Sequence, residues 1–201
     1  MVVDVSRCLQ SFHGSVEIYA NEIVDAHVRY VPQPGHGSEL LNAVCLAMQC
    51  GWSGPCVLDC AGVDVNDSAC AQLAKSINEL RHEAACSMPC TPVPHLQTFR
   101  LRNNQIGANG VWSLGISSTI FQNLISLDLS FNNIGPSGAS HLGSCLPRCH
   151  GLCSLDLTCC GLGPSGLKEI GRALTLLSSL VELFLACNNI GDVGIASLVQ
   201  W

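Results

Sequence analysis

The sequence predicts an α/β solenoid in which one strand-and-helix unit is repeated and stacked on itself. Three observations predict it. Leu96, Leu124, Leu152 and Leu180 recur 28 residues apart. Each opens a run of apolar residues at period two, the spacing of a strand with one buried face. Each run is followed by two glycines and then by apolar residues at helical spacing. A unit this short cannot bury its own apolar face, so a fixed period means that neighbouring units close a common core.

The strand comes first in each unit. Its copies read Leu96, Phe99, Leu101; Leu124, Leu127, Leu129; Leu152, Leu155, Leu157; and Leu180, Leu183, Leu185. Three residues beyond the last of these stands Asn104, Asn132, Cys160 or Asn188, then Ile106, Ile134, Leu162 or Ile190, then Gly107, Gly135, Gly163 or Gly191. An asparagine side chain there can bond the backbone groups left unpaired where the chain turns out of each strand. The helix follows a second glycine (Gly110, Gly138, Gly166, Gly194). In the second copy, residues 136–146 place Ala139, Leu142 and Leu146 on one helical face.

This pattern resembles the leucine-rich-repeat family, and the 28-residue length with its Gly-x-x-Gly helix entry resembles the ribonuclease-inhibitor-like class. The resemblance implies a horseshoe segment with a parallel concave sheet and convex helices. It also admits cysteine at the asparagine position, as at Cys160.

Upstream the unit is fainter. Val16, Ile18, Asn21 and Ile23 echo its core, as do Leu58, Cys60, Val63 and Val65, with Val63 in the asparagine place. Helices are expected over residues 38–50 and 66–81. Inserted loops are expected over residues 31–37, broken by Pro32, Pro34 and two glycines, and over residues 82–95, with Pro89, Pro92 and Pro94. The division is therefore 1–95, degenerate repeats with insertions forming a cap region, and 96–201, four regular repeats. Trp201 falls in the middle of the last helix pattern. It reads either as the edge of a longer chain or as a partial lid on an open apolar end that meets a partner.

Composition narrows the function. The chain is 48% hydrophobic and 12% charged, about half the usual charged share, which suits a protein held against a partner. A net charge of −6 argues against gripping phosphates, so nucleic acid is not expected. No apolar run approaches the length of a membrane span, and residues 1–10 carry Asp4 and Arg7 inside their apolar stretch rather than a clean secretion signal. The expectation is a cytoplasmic protein whose 14 cysteines are reduced and mostly buried.

Residues alternating with the strand leucines face the concave side. Their middle row reads Glu17, Asp59, Arg100, Asp128, Asp156, Phe184, flanked by Tyr19, Arg102 and Glu182. One reading is a groove for a basic or mixed-charge protein segment, with Tyr19, Phe184 and Arg100 as anchors. The other is that Asp128 and Asp156 only solvate a strand face. The structural ladder comprises Asn21, Asn104, Asn132, Cys160 and Asn188.

His82, Cys86, Cys90 and His95 have the donor types of a structural zinc site, but not its common spacing. A second group, Cys145, Cys149, His150 and Cys153, is split by the repeat between a helix and a strand start. No phosphate loop or nucleophile elbow is present, and no cofactor is expected. A non-enzymatic protein-interaction module is expected, or a structural subunit of a larger intracellular assembly such as a cytoskeletal or ciliary one. The alternative is a regulator of a small GTPase. The Ran GTPase-activating proteins resemble this repeat class, though nothing beyond the repeat carries that role over.

Overall fold

The structure, a computed structural model, describes residues 16–21, 25–30, 41, 57–86 and 96–199. Strands β1 (Val16–Asn21), β2 (Asp25–Tyr30), β3 (Val57–Asp59), β4 (Thr98–Arg100), β5 (Ser126–Asp128), β6 (Ser154–Asp156) and β7 (Glu182–Phe184) lie side by side in chain order. From β2 onward every pair is parallel and in register, so that Leu58, Phe99, Leu127, Leu155 and Leu183 stack as one column. Helices α1 (Asp67–Cys86), α2 (Ala108–Ile116), α3 (Ser118–Gln122), α4 (Gly135–Cys145), α5 (Gly163–Leu174) and α6 (Gly191–Val199) alternate with the strands. A 3-10 turn, Leu146–Arg148, continues α4. None of the described helices is long and apolar enough to cross a membrane.

The core lies between the sheet and the helices and is built from the residues that define the repeat. Leu58, Phe99, Leu127 and Leu155 from the strands, Leu101, Leu129 and Leu157 just beyond them, and Ile106, Ile134 and Leu162 from the turns are all buried. Ala139, Leu142 and Leu146 close the helical side, as their spacing predicts. Leu58, Cys60, Val63 and Val65 are buried in the same way, so the unit beginning near residue 55 is a full repeat.

Helix entry depends on close approach. A Cβ on Gly138 would stand 2.5 Å from the Ile134 side chain and 3.2 Å from Ala108 Cα at the start of α2, the corresponding helix of the preceding repeat. The second glycine thus lets each helix start lie against the previous one. Pro136 and Pro164 occupy the first turn, where a missing N–H costs nothing. Helix α1 is instead capped by Asn66, whose Oδ1 accepts the Ala69 N–H at 3.0 Å.

Two expectations are corrected. The segment Val16–Asn21 does not open the parallel sheet; it pairs antiparallel with β2, Asn21 opposite Asp25, and β2 carries the parallel register onward. Asn21 therefore ends a hairpin strand instead of following a parallel one. Helix α1 runs to Cys86, so His82 and Cys86 are helical and do not begin a loop. The helix expected over 38–50 lies outside the described residues except Leu41, which is buried. The loop at 31–37 and Trp201 also lie outside them.

Candidate functional site: the concave sheet and its turn ladder

The middle row of the sheet is set by register: Arg29, Asp59, Arg100, Asp128, Asp156 and Phe184 are successive partners. Arg29 thus takes the place expected for Glu17, which pairs with it from β1. Tyr19 lies opposite His27 in the same hairpin, and its side chain is outside the described residues. Arg100, Arg102, Glu182 and Phe184 are exposed, and Asp59, Asp128 and Asp156 are half-buried.

The aspartates are partly committed to the backbone. Asp59, Asp128 and Asp156 each turn one Oδ1 onto the N–H two residues on, at Ala61 (3.2 Å), Ser130 (2.9 Å) and Thr158 (2.8 Å). Asp128 also accepts the Ser130 hydroxyl at 2.6 Å. Ser130, two residues beyond Asp128 and so next on the alternating side of the strand, is fully buried and does not lie on the open concave surface. The carboxylates therefore fasten the turn leaving each strand, and each keeps a second oxygen for other partners. In β4 the arginine has no such role. Arg100 Nη1 instead lies 3.5 Å from Asp59 Oδ2 across the sheet. Arg102 stacks its guanidinium 4.4 Å from the centre of the Phe131 ring, a cation–π contact that holds two exposed side chains as one platform.

Beside this row runs the ladder. Asn104 Oδ1 accepts the Val63 and Val65 N–H groups at 3.2 and 2.9 Å, while its Nδ2 donates to Cys60 O at 2.7 Å and Leu101 O at 2.9 Å. Asn132 accepts from Ile106 N–H at 3.0 Å and donates to Leu101 and Leu129 carbonyls at 2.8 and 2.9 Å. Asn188 repeats this with Cys160, Leu162, Leu157 and Leu185. Each carboxamide stitches its own turn to the preceding repeat. Cys160 fills the same place more weakly, its thiol donating to Leu129 O at 3.2 Å and its sulfur facing the Asn132 N–H.

One residue before each ladder position the backbone is left-handed: Gly62, Asn103, Phe131, Cys159 and Cys187 have φ of 68, 54, 58, 54 and 57°. These five residues share the backbone angle and no side-chain type, so nothing in the repeat pattern marks the row.

Among the described residues no three His, Cys, Asp or Glu side chains gather as a metal site requires. Cys145 and Cys149 are buried apart from the exposed His150. Of the other set, Cys90 and His95 lie outside the described residues. On the convex side a cleft of about 330 Å³ opens beside Trp112, Ile116, His141 and Arg148, whose Nη1 donates to Gly115 O at 3.0 Å.

The leucine-rich-repeat family model matches the chain four times, over residues 94–115, 122–143, 149–171 and 177–199. Each match holds one strand, its ladder turn and most or all of the following helix. No curated protein matches the chain.

Proposed function

We propose that this α/β leucine-rich-repeat solenoid is a non-enzymatic protein-binding module whose concave row captures a partner segment of basic or mixed charge. The observation that carries the reading is the in-register row Asp59–Arg100–Asp128–Asp156–Phe184 together with the Arg102–Phe131 platform. It sets half-free carboxylates, a stacked guanidinium and an exposed ring on one rigid surface. Carboxylates there recognise lysine or arginine on the partner, and the aromatic groups supply the buried contact area that dominates binding energy.

The test must spare the turns. Asp128→Asn with Asp156→Asn removes both charges and retains the oxygens that accept the Ser130 and Thr158 N–H groups. Capture of partners from native lysate is expected to fall about tenfold and to lose its salt dependence. An unchanged set of partners, held with unchanged salt sensitivity, sinks the groove.

A second reading makes the solenoid a brick in a larger intracellular assembly, such as a cytoskeletal or ciliary one. It is favoured by the apolar exposure of the last repeat, where Val181, Phe184, Val193 and Ile195 are open. Size-exclusion light scattering separates the two: a monomer supports reversible capture, and self-association of the isolated chain supports the brick. The GTPase-regulator alternative rests on family likeness alone, and Arg100 and Arg102 are each engaged within the sheet.

A further inference from the structure

Cys159 and Cys187 occupy the left-handed position of the last two repeats, 28 residues apart in sequence and adjacent in space. The register of β6 with β7 brings their turns together, and the Cys159 N–H donates to Ala186 O at 2.9 Å, one residue before Cys187. Parallel neighbours stand about 4.8 Å apart, inside the range of about 4.4–6.8 Å between Cα atoms that a disulfide spans. Their φ values differ by only 3°, so both Cβ bonds leave the backbone in the same sense. The Cys187 thiol lies close enough to help raise the pKa of Cys159. Cys187 is exposed and Cys159 half-buried, unlike the sealed Cys60, Cys70, Cys149 and Cys160.

Nothing in the repeat asks for cysteine here. Left-handed backbone favours glycine or asparagine, which stand at Gly62 and Asn103 in the same row. The ladder role belongs to the next residue, Cys160 or Asn188.

We propose that Cys159 and Cys187 form a dithiol modification site that closes to a disulfide by exchange with a small-molecule disulfide of the glutathione class. Cys187, the open thiol, attacks as its thiolate one sulfur of the small disulfide; that S–S bond breaks, a mixed disulfide forms, and one small thiolate leaves. Cys159 then gives its proton to water and attacks Cys187 Sγ, expelling the second small thiolate. Two protein thiols and one small disulfide become one protein disulfide and two small thiols. Burial and the neighbouring Cys187 thiol keep Cys159 protonated longer than an ordinary thiol, which leaves the first attack to the more open Cys187. The bond staples the last described repeat to its neighbour.

The experiment incubates the full chain with graded ratios of oxidised to reduced glutathione, alkylates the remaining thiols and maps the peptides by mass. The Cys159–Cys187 bond is expected to be the first disulfide to appear. In Cys159→Ser the mixed disulfide of glutathione with Cys187 is expected to persist, because no thiol stands ready to displace it. Hydrogen exchange over residues 182–199 is expected to slow about tenfold in the oxidised wild-type chain. A wild-type chain that keeps Cys187 as a lasting glutathione adduct, or pairs it with another cysteine first, overturns the proposal.

Discussion

Asn132 holds four backbone groups with one carboxamide, two in its own turn and two in the preceding repeat. It is buried, so truncation leaves those groups without water as well as without a partner. Asn132→Ala is expected to cost about 3 kcal/mol in chemical denaturation, more than an average core truncation of similar size. The opposite change is expected at Cys160. There a thiol, a weak acceptor, stands where Asn104, Asn132 and Asn188 each present an amide oxygen. Cys160→Asn is expected to add about 1 kcal/mol in the same assay, and a loss of stability refutes the view that cysteine is the poorer rung. This ladder was legible from spacing because its chemistry depends on one side chain at one place. The left-handed row beside it was not, since Asn103, Phe131, Cys159 and Cys187 share a backbone angle and no side-chain type.

At the scale of elements, legibility followed how much each element depends on its own sequence. The four regular strands and helices α2, α4, α5 and α6 lie where leucine and glycine spacing places them. The hairpin at β1 and β2 defeated that logic. Val16 and Ile18 imitate the unit, while Asp25 and Ala26 lack the leading leucine that marks a repeat, yet the backbone of β2 pairs with β3. Backbone pairing carries no side-chain signature, so register decided what pattern could not. Helix α1 outran its expected end for a similar reason: Glu83, Ala84 and Ala85 are good helix formers, and the first proline, Pro89, lies beyond Cys86. The helix starts offer a sharper check. Gly138→Ala places a methyl against Ile134 and the Ala108 backbone, and is expected to destabilise by about 2 kcal/mol through overpacking. Alanine at Gly135 meets nothing within 4 Å but must adopt φ of 64°. Its cost of about 1 kcal/mol is strain alone. Denaturation of the two variants, with the strain of Gly135→Ala as reference, separates helix approach from turn conformation. Equal costs at both sites argue against close packing as the role of the second glycine.

For the whole molecule, the sealed thiols tie stability to alkaline pH. Cys60, Cys70, Cys149 and Cys160 run through the core from the turn after β3 to the turn after β6. Burial foremost raises all four above the ordinary value of 9.0, Cys70, Cys149 and Cys160 to about 12. Below pH 9 the folded and unfolded chains hold the same thiol protons, and these groups make no pH-dependent contribution. Above pH 9 the unfolded chain releases them while the folded chain retains them, so stability falls as pH rises. Each thiol contributes a slope of about 1.4 kcal/mol per pH unit until its folded value is reached. Together they remove roughly 5 kcal/mol per unit, enough to exhaust ordinary domain stability between about pH 10 and 11. Denaturant titrations under reducing conditions from pH 8 to pH 11 measure that slope. Replacing Cys60 and Cys70 by alanine lowers stability at pH 8 by leaving cavities, but it also removes two of the four proton differences. The part of the slope due to these four thiols is then expected to halve, while the raised Cys145 and Cys159 thiols keep their own smaller parts. A slope indifferent to this pair of substitutions assigns alkaline unfolding to other groups and leaves the buried cysteines as packing alone.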